Sequence, residues 1–359
     1  MAVPANTQTT FGSVGNREDL TDEINMLSPT KTPFYSGIGE DTAYARIHDW
    51  QEDELDPAST TNQHVEGDDK DADAVRPTDR RGNPLQIFKK IPQVAGTQQA
   101  VRSAGRPNEM RYQVSKRSKE IKRDIEARFL ANLPGTNTGA ATDDRSPSGG
   151  TEDAAGRALA GLPTWLTGVS FRATRDAANT EATGVAAAAD INAAAGFPEA
   201  AADLDATTKE PLNENAFMDL YSDIWLEGAE PDCVMMNPAV KNRFSALDGN
   251  APARINANDR AREEGFDIYS TDYGVIEVVP QRFMHIDEQA NEIGSYLLLI
   301  DKQRAKKVFL RRFVLTDLSK TGDSERKELL TEITLKVDNI KAHGILAGID
   351  SAVAPVPLG

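Results

Sequence analysis

The sequence predicts an α+β fold, because three stretches of the chain have the patterns of a long helix, a mixed α/β lobe and a β-rich last third. In residues 107–133 the apolar residues are mostly four or seven positions apart, which is the spacing of one face of a helix. Residues 213–249 have the order helix, strand, helix, which indicates a mixed α/β lobe. Residues 296–337 contain apolar runs and strict alternation, which are typical of strands.

Composition limits the functional classes before any element is placed. A chain of 359 residues can bury a sizeable core, and we expect two or three lobes. No apolar run approaches the roughly 20 residues that span a bilayer, and the first residues lack the pattern of a signal peptide, so we expect no membrane association and no visible export signal. A single cysteine, Cys233, excludes an internal disulfide and a cysteine-based zinc site.

The chain is acidic, with a formal net charge of -16 at pH 7. This charge argues against a protein that binds nucleic acid through its overall field, since phosphate binding requires a basic surface. The acids are rich in aspartate and arginine outnumbers lysine, a bias of proteins from high-salt organisms, where charges are screened over about 3 Å at 1 M ionic strength. An acidic mesophilic protein would have a similar composition, so a halophilic origin is one of two open interpretations.

The N-terminal region is predicted to be an arm with little core of its own. Residues 1–15 are polar and small, as in a flexible terminus. A short helix is predicted from its N-cap, Asn16, to Leu27, and residues 28–34 are predicted to be extended, because residues before proline avoid the helical region. We therefore expect this arm to lie on another surface.

Residues 40–82 are the most acidic part of the chain and are predicted to belong to a long hairpin. Residues 43–50 form its first strand in this prediction and residues 86–101 its return strand, with the acidic turn between them. An isolated two-stranded ribbon so poor in apolar residues is marginal in water. The hairpin is therefore expected either to be disordered or to lie against another surface.

The helix predicted over residues 107–133 would be about 40 Å long at 1.5 Å per residue. Pro107 and Glu109 suit its first turn, and Pro134 with Gly135 ends the pattern. Its polar faces carry a set of basic side chains, which are Arg111, Lys116, Arg117, Lys119, Lys122, Arg123 and Arg128. Two interpretations follow: a solvated surface helix, or a strut whose basic flanks contact a partner.

The amino-acid composition changes twice in the middle of the chain. Residues 157–166 are a small apolar island, and residues 170–210 have few large apolar groups, so they are predicted to be a surface insertion. The lobe that follows begins with a helix capped by Asn213, continues with a buried strand over residues 233–236, and adds a helix that ends near Gly249.

The last third is predicted to consist mainly of strands. Residues 296–300 are a continuous apolar run, and residues 308–315 interleave apolar residues with arginines. Residues 333–337 alternate strictly between apolar and polar side chains, which predicts a half-buried strand.

Several short segments resemble a family of tailed-virus major capsid proteins and occur in the same order as in that family. They are residues 16–20, 28–34, 38–39, 48–51, 96–98, 157–166, 274–280 and 332–345. The resemblance implies the Hong Kong 97-type capsid fold, in which an N-arm and an extended E-loop precede a P-domain built on a long spine helix and an A-domain.

The same resemblance implies a division of the chain into six segments. They are the N-arm (1–40), the E-loop hairpin (41–100), the P-domain with the spine helix (101–160), the A-domain with its insertion at 170–210 (161–300), the return strands of the P-domain (301–346) and a C-terminal tail (347–359).

No pattern indicates an enzyme, and we predict no catalytic, cofactor or metal site. Phosphate-binding loops, dinucleotide fingerprints and nucleophile elbows are missing from the sequence. The four histidines are far apart, and the acids of residues 40–79 lack the spacing of a calcium loop. Lysines and asparagines are present, but nothing marks a pair for an isopeptide cross-link, so none is predicted.

A basic cluster is the best candidate for contact with nucleic acid. Its members are Lys302, Arg304, Lys306, Lys307, Arg311 and Arg312. The alternative that we prefer is the exposed face of strands, or a seat for the acids of a neighbour, because no aromatic residues are interleaved for base stacking.

The resemblance implies a structural function, namely self-assembly into hexamers and pentamers of an icosahedral head around double-stranded DNA. The expected location is the virion shell, assembled in the host cytoplasm. The expected partners are identical subunits, a portal, decoration or scaffolding proteins, and packaged DNA bound without specificity, with no membrane. Two alternatives stay open: a nanocompartment shell of the same fold with protein cargo, and a soluble DNA-binding protein that uses residues 302–312.

A hypothesis specific to this sequence is that the acidic hairpin docks across the basic helix of an adjacent copy. The candidate contact residues are Glu52, Asp53, Glu54, Glu66, Asp68, Asp69, Lys116, Arg117, Lys122 and Arg123. A single exposed ion pair contributes only ~0.2–1 kcal/mol, but a shell repeats the contact many times.

Overall fold

The described residues of this computed structural model are 7, 24, 26–63, 65–67, 75–101, 103–136, 156–188, 191, 196–198, 200–204, 208–247, 268–271, 273–284, 295–320 and 322–357. Most of the helix predicted over residues 16–27 lies outside them, as do Asp68, Asp69, His64 and His285. Within the described residues, no helix is long and apolar enough to cross a membrane.

The helices and strands are named in chain order within the described residues. The α-helices are α1 (Pro33–Gly37), α2 (Gly96–Ala100), α3 (Glu109–Leu130), α4 (Leu162–Trp165), α5 (Glu214–Leu226) and α6 (Pro238–Phe244). The strands are β1 (Gly39–Thr42), β2 (Ile47–Glu52), β3 (Asp79–Pro84), β4 (Gln86–Lys90), β5 (Gln93–Ala95), β6 (Phe171–Ala173), β7 (Cys233–Met236), β8 (Ile268–Thr271), β9 (Gly274–Pro280), β10 (Leu297–Ile300), β11 (Ala305–Asp317), β12 (Ser324–Val337) and β13 (Gly344–Ala347).

The strands form two larger sheets and one hairpin. The first sheet has the order β1-β11-β12-β4, and β5 also pairs with β12. The second sheet has the order β6-β13-β10-β7-β9-β8, and β2 pairs with β3 in a separate ribbon. The predicted α+β class is confirmed, since helices pack on sheets that mix parallel and antiparallel strands.

The long helix α3 packs on the first sheet as its apolar spacing predicts. Ile121, Ile125 and Phe129 are fully buried, and α3 contacts β4 and β12. The helix begins after Asn108, whose side chain accepts a hydrogen bond from the Arg111 amide at 2.9 Å. Its basic side chains are consequently left on the polar faces.

The second lobe also follows its sequence signals. Asn213 caps α5 by accepting from the amides of Asn215 and Ala216, and Asn237 caps α6. The prediction that this second helix reaches Gly249 is wrong, because α6 ends at Phe244. Three turns of α5 bury their apolar face against the second sheet.

The predicted pairing of the acidic hairpin is wrong in its return strand. β2 pairs with β3, so that Trp50 lies opposite Arg81, whereas β4 pairs with β12 in the first sheet. Opposite charges favour the observed ribbon, since Arg81 of β3 pairs with Glu52 of β2. The side chain of Phe88 in β4 is buried in the core, which a free ribbon could not provide.

Two other segments differ from their predictions. Pro33 and Phe34 belong to the short helix α1 and are not extended, since proline is suited to the first helical position. Residues 170–210 are not a surface insertion: β6 is an edge of the second sheet, and Phe197, Ala202 and Leu204 are buried. Small alanines allow this segment to pack closely despite its few large apolar groups.

The strand at residues 333–337 is buried on both faces and not half-buried. Ile333 and Leu335 face the main core, while Thr334 is fully buried on the other side of the sheet. That second face is covered by a small cluster containing Ala43, Leu85 and Val308. The segments that flank the hairpin therefore act as a cover for the first sheet.

The segment after β12 contains a strand of the second sheet and a tail that lies on the subunit. β13 pairs with β10 in the second sheet, so the chain leaves the first sheet before residue 346. The tail is held on the subunit, because the Val356 amide donates to the Leu212 carbonyl oxygen at 2.8 Å.

Candidate intersubunit surface

The root of the β2–β3 hairpin is fixed to the body of its own subunit. The Trp50 and Trp165 rings are 5.5 Å apart between centroids. The fully buried Asn83 amide donates to the Leu335 carbonyl oxygen at 2.7 Å and accepts from the Ala160 amide at 2.9 Å. The root of the hairpin therefore lies against another surface, which is the body of its own subunit.

Glu52 belongs to this internal support. Its carboxylate accepts from the Trp50 indole N–H at 3.1 Å and from the Asn339 amide at 3.1 Å, and it pairs with Arg81 at 3.4 Å. The side chain of Glu54 pairs with Lys341 at 3.0 Å. The structure thus places two of the predicted intersubunit acids in contacts with their own chain.

The described residues of the hairpin from Asp53 to Thr78 are exposed. Asp53 and Glu66 are exposed, and among the described residues no strand pairing is found from Asp53 to Thr78. Leu55 is 96% exposed and Val75 is 94% exposed, so two apolar side chains of this ribbon have little contact with their own subunit. This exposed ribbon of residues 53–63, 65–67 and 75–78 combines acidic and apolar groups.

The predicted cations of α3 fall into two groups. Arg117 pairs with Glu120 of the same helix at 2.5 Å, and the Arg123 guanidinium lies 5.7 Å from the Phe283 ring centroid. Lys116 and Lys122 are exposed, with Lys119 between them on the same side of the helix. The lysines are therefore better placed than the arginines to contact another molecule.

An open cleft separates α3 from the arm segment 30–36 and has a volume of about 520 Å³. Lys31 comes from the arm, and Lys119 and Lys122 come from α3. The remaining lining residues are Thr30, Thr32, Pro33, Tyr35 and Ser36, so no carboxylate is among the described residues that line it. Ammonium and hydroxyl groups can donate hydrogen bonds to carboxylates of an extended acidic segment.

Sequence patterns did not identify this lysine cleft. Lys31 lies in a proline-rich run, and Lys119 is one of several cations on the helix, so nothing in the sequence distinguishes either lysine. Only the position of the arm along α3 brings Lys31 to the same cleft as Lys119 and Lys122.

The basic cluster of residues 302–312 forms its ion pairs within the subunit. Its ion pairs are Lys302 with Glu277, Arg304 with Asp301, Lys306 with Asp338, Lys307 and Arg312 with Glu40, and Arg311 with Glu332. Every member has an acidic partner in its own chain, which weakens the case for a phosphate-binding surface.

Two buried groups, His343 and Cys233, have shifted pKa values. Desolvation lowers the pKa of the fully buried His343 to about 4, and its Nδ1 accepts from the Asp301 amide at 3.2 Å. Burial raises the pKa of the Cys233 thiol to about 12, so it is protonated at neutral pH. In the part of the chain that the structure describes, no group of three or more His, Cys, Asp or Glu is placed to hold a metal ion.

Comparison with known proteins gives one family match and one curated relative. The model of the family described as SU10 major capsid protein matches residues 3–350. The major capsid protein of Escherichia phage Phieco32 is 25% identical over 359 residues, covering 92% of this chain and 94% of that protein.

Solved structures show a similar fold at low sequence identity. The capsid of a native GTA particle has a TM-score of 0.56 at 12% identity, covering 95% of this chain and 98% of that chain. A Gordonia phage Cozz structure has a TM-score of 0.55 at 9% identity, covering 96% of each chain. The SrpI encapsulin complex of Synechococcus elongatus PCC 7942 has a TM-score of 0.53 at 10% identity, covering 95% and 94%. Such identities show a common fold alone.

Proposed function

This chain belongs to the SU10 major capsid protein family and has the Hong Kong 97-type capsid fold, and from that premise we propose how its copies join. It is a major capsid protein of a tailed phage, and its copies form the icosahedral shell of the virion. In our proposal, the exposed ribbon of one copy docks in the lysine cleft of the next. The exposure of Leu55 and Val75 beside acidic groups supports this proposal most directly, since such a ribbon gains stability only by burial on another surface.

Charge complementarity supports the same pairing. The ribbon carries Asp53 and Glu66. The cleft carries Lys31, Lys119 and Lys122, and no acid is among the described residues that line it. Each exposed pair is worth roughly 0.2–1 kcal/mol, so the lysines of one cleft would contribute about 1–3 kcal/mol. A shell sums this contribution over every copy, and burial of the two apolar side chains adds to it.

We extend the proposal to the larger assembly. The first sheet with α3 corresponds to the P-domain, and the second sheet with α5 and α6 corresponds to the A-domain. Copies form hexamers and pentamers, a portal occupies one vertex, and double-stranded DNA fills the shell without specific contacts. The role is structural and not catalytic.

The two alternative functions are less well supported. Encapsulins share the fold, but the family match is to a capsid protein. Purified particles distinguish these two classes, because a virus head contains DNA and a nanocompartment contains cargo protein. A soluble DNA-binding protein would need free cations at residues 302–312, and those cations are paired internally.

A charge-reversal cycle tests the docking proposal. We expect the variant with Lys31, Lys119 and Lys122 changed to glutamate to remain folded but to lose shell formation, because the ribbon would then meet like charges. The variant with Asp53→Lys and Glu66→Lys should fail in the same way. A chain with both sets of changes should assemble again, since the two charges are exchanged and the attraction is restored.

The measurements are static light scattering and negative-stain electron microscopy of the purified variants, with circular dichroism to verify folding. A single variant, Lys119→Glu, has Lys89→Glu as its matched control. The control makes the same charge change at an exposed residue of β4 outside the cleft. Normal shells from the triple lysine variant would refute the docking proposal, and so would a combined chain that stays unassembled.

A further inference from the structure

One buried carboxylate lies at the meeting point of three parts of the subunit. Glu126 is fully buried on α3, among apolar neighbours such as Ile125 and Phe129. Its Oε1 accepts from the Phe34 amide at 2.9 Å and from the Gln281 side-chain amide at 2.6 Å, and its Oε2 accepts from the Tyr35 amide at 2.6 Å. A charge at such a site is costly unless it is hydrogen-bonded, and here three donors satisfy it.

The donors belong to elements that are distant in the sequence. Phe34 and Tyr35 are in the first turn of α1, and Thr32 provides no side-chain cap for that turn. Glu126 therefore satisfies two amides of α1 that its own N-cap leaves free. Gln281 directly follows β9, so the same carboxylate also bonds to the segment at the end of a strand of the second sheet.

The other side of α1 is held by a lysine of the first sheet. The Lys307 ammonium donates to the Tyr35 carbonyl oxygen at 2.9 Å and lies 4.3 Å from the Tyr35 ring centroid. It also pairs with Glu40 at 3.2 Å. The amide and the carbonyl of Tyr35 are thus fixed by side chains from two different elements, α3 and β11.

This arrangement determines where the arm runs along α3. Residues 30–36 form one wall of the lysine cleft, and Lys122 lies one helical turn before Glu126 on α3. The bonds to Glu126 add to the Lys307 contacts in setting the distance between the arm wall of the cleft and its α3 wall. The width of the cleft therefore depends on a residue that does not line it.

We propose that Glu126 is a positioning residue for the lysine cleft. By binding the amides of Phe34 and Tyr35, it fixes the arm against α3. It thereby keeps the lysines of both walls at the spacing that receives the acidic ribbon of a second copy. Its effect on assembly rests on the docking proposal above, whereas its effect on the arm does not.

Hydrogen exchange of dilute, unassembled subunits tests the effect on the arm. Glu126→Gln keeps the shape of the side chain but replaces one acceptor oxygen by an NH2 group. This group is a hydrogen-bond donor and would face amide donors. We expect the Phe34 and Tyr35 amides to exchange about tenfold faster, with exchange in β12 unchanged. The matched control is Glu109→Gln, because Glu109 is also a buried acid of α3 but bonds to Gln113 and Arg106.

Glu126→Asp provides the second variant, since it retains both acceptor oxygens on a shorter side chain. It should exchange at a rate between those of the native chain and Glu126→Gln. Native exchange rates at Phe34 and Tyr35 in both variants would overturn the proposal, as would equal acceleration by Glu109→Gln.

Shell formation by the same variants tests the effect on docking. We expect Glu126→Gln to reduce the shell yield as Lys119→Glu does, while Glu109→Gln assembles normally. Faster exchange in Glu126→Gln together with normal shells would overturn the link to docking while leaving the fixation of the arm intact. Normal shells from the triple lysine variant would instead overturn the docking proposal itself, so the two failures are distinguishable.

Discussion

At the scale of single residues, His343 shows how burial controls charge. The imidazole is fully buried, its Nδ1 accepts from the Asp301 amide, and the charged groups that affect it most are Asp338 and Arg304. Desolvation lowers its pKa from 6.5 to about 4. Between these two values the unfolded chain binds a proton that the folded chain does not, so this residue makes stability rise with pH across that window.

This difference predicts a pH-dependent effect of the substitution His343→Asn, which keeps an acceptor for the Asp301 amide. Lowering the pH from 7 to 4 should destabilise the native chain by about 3 kcal/mol more than the variant, at 1.36 kcal/mol per pKa unit. Urea denaturation of unassembled subunits at several pH values measures the difference. Parallel pH profiles of the two proteins would contradict the prediction, and the comparison cancels the contributions of other titrating groups.

Residue roles could be predicted from the sequence where the signal is local. Asn213 was recognised as a helix cap because a cap and its amides are two or three residues apart. Glu126 was not recognised, because the Phe34 amide that it binds is 92 residues away in the chain. A glutamate on a charged helix has no local sign that it is buried.

At the scale of elements, the hairpin combines a fixed root with an exposed end. Asn83 of β3 links the root to Ala160 and Leu335, and its side chain is fully buried. Replacing it with alanine would leave the Ala160 amide without its side-chain acceptor, in a site from which water is excluded. The root of the hairpin should then separate more easily from the first sheet.

We therefore predict that Asn83→Ala lowers the free energy of unfolding by about 2 kcal/mol. Amide exchange should rise in residues 79–84. Asn132→Ala is a matched control, because Asn132 exchanges two hydrogen bonds with Ala202 outside the hairpin, and its loss should affect residues 200–204 instead. Equal exchange profiles of the two variants by mass spectrometry would show that Asn83 has no special role at the root.

Elements with a strong local period were predicted well, and strand pairing was not. The apolar face of α3 and the strand β7 follow from patterns within a few residues. The partner of β4 is β12, more than 200 positions later, and nothing in residues 86–90 indicates it. The segment 170–210 was misjudged because its burial depends on alanines that pack against a surface made elsewhere.

At the scale of the whole molecule, the capsid family and its fold were predicted by the ordered set of short segments, whereas the lysine cleft required the structure. The segments are short but spread along the chain, so their order carried the information. The docking contacts depend on how the arm lies on α3, which no segment encodes alone. The interpretation of a high-salt host stays a prediction.

The two sheets share one hydrophobic core, which has a consequence for unfolding. Leu298 and Ile300 of the second sheet, Ile333 and Leu335 of the first, and Ile125 of α3 belong to one continuous cluster of buried side chains. In addition, β1 pairs with β11 and β6 with β13, so each sheet joins strands from distant parts of the chain. The first sheet needs strands from both halves of the sequence, and the chain passes through β11 and β12 of that sheet between β10 and β13 of the second.

We therefore predict that the unassembled subunit unfolds in a single cooperative transition. Leu298→Ala in β10 and Ile333→Ala in β12 each remove a fully buried side chain, at a cost of about 3 kcal/mol. Both should move the same calorimetric peak to lower temperature by similar amounts, because either cavity weakens the core that both sheets share. Calorimetry on the non-assembling triple lysine variant avoids the contribution of shell contacts. Two peaks, of which each substitution moved only one, would mean that the sheets are independent folding units and that the shared core does not couple them.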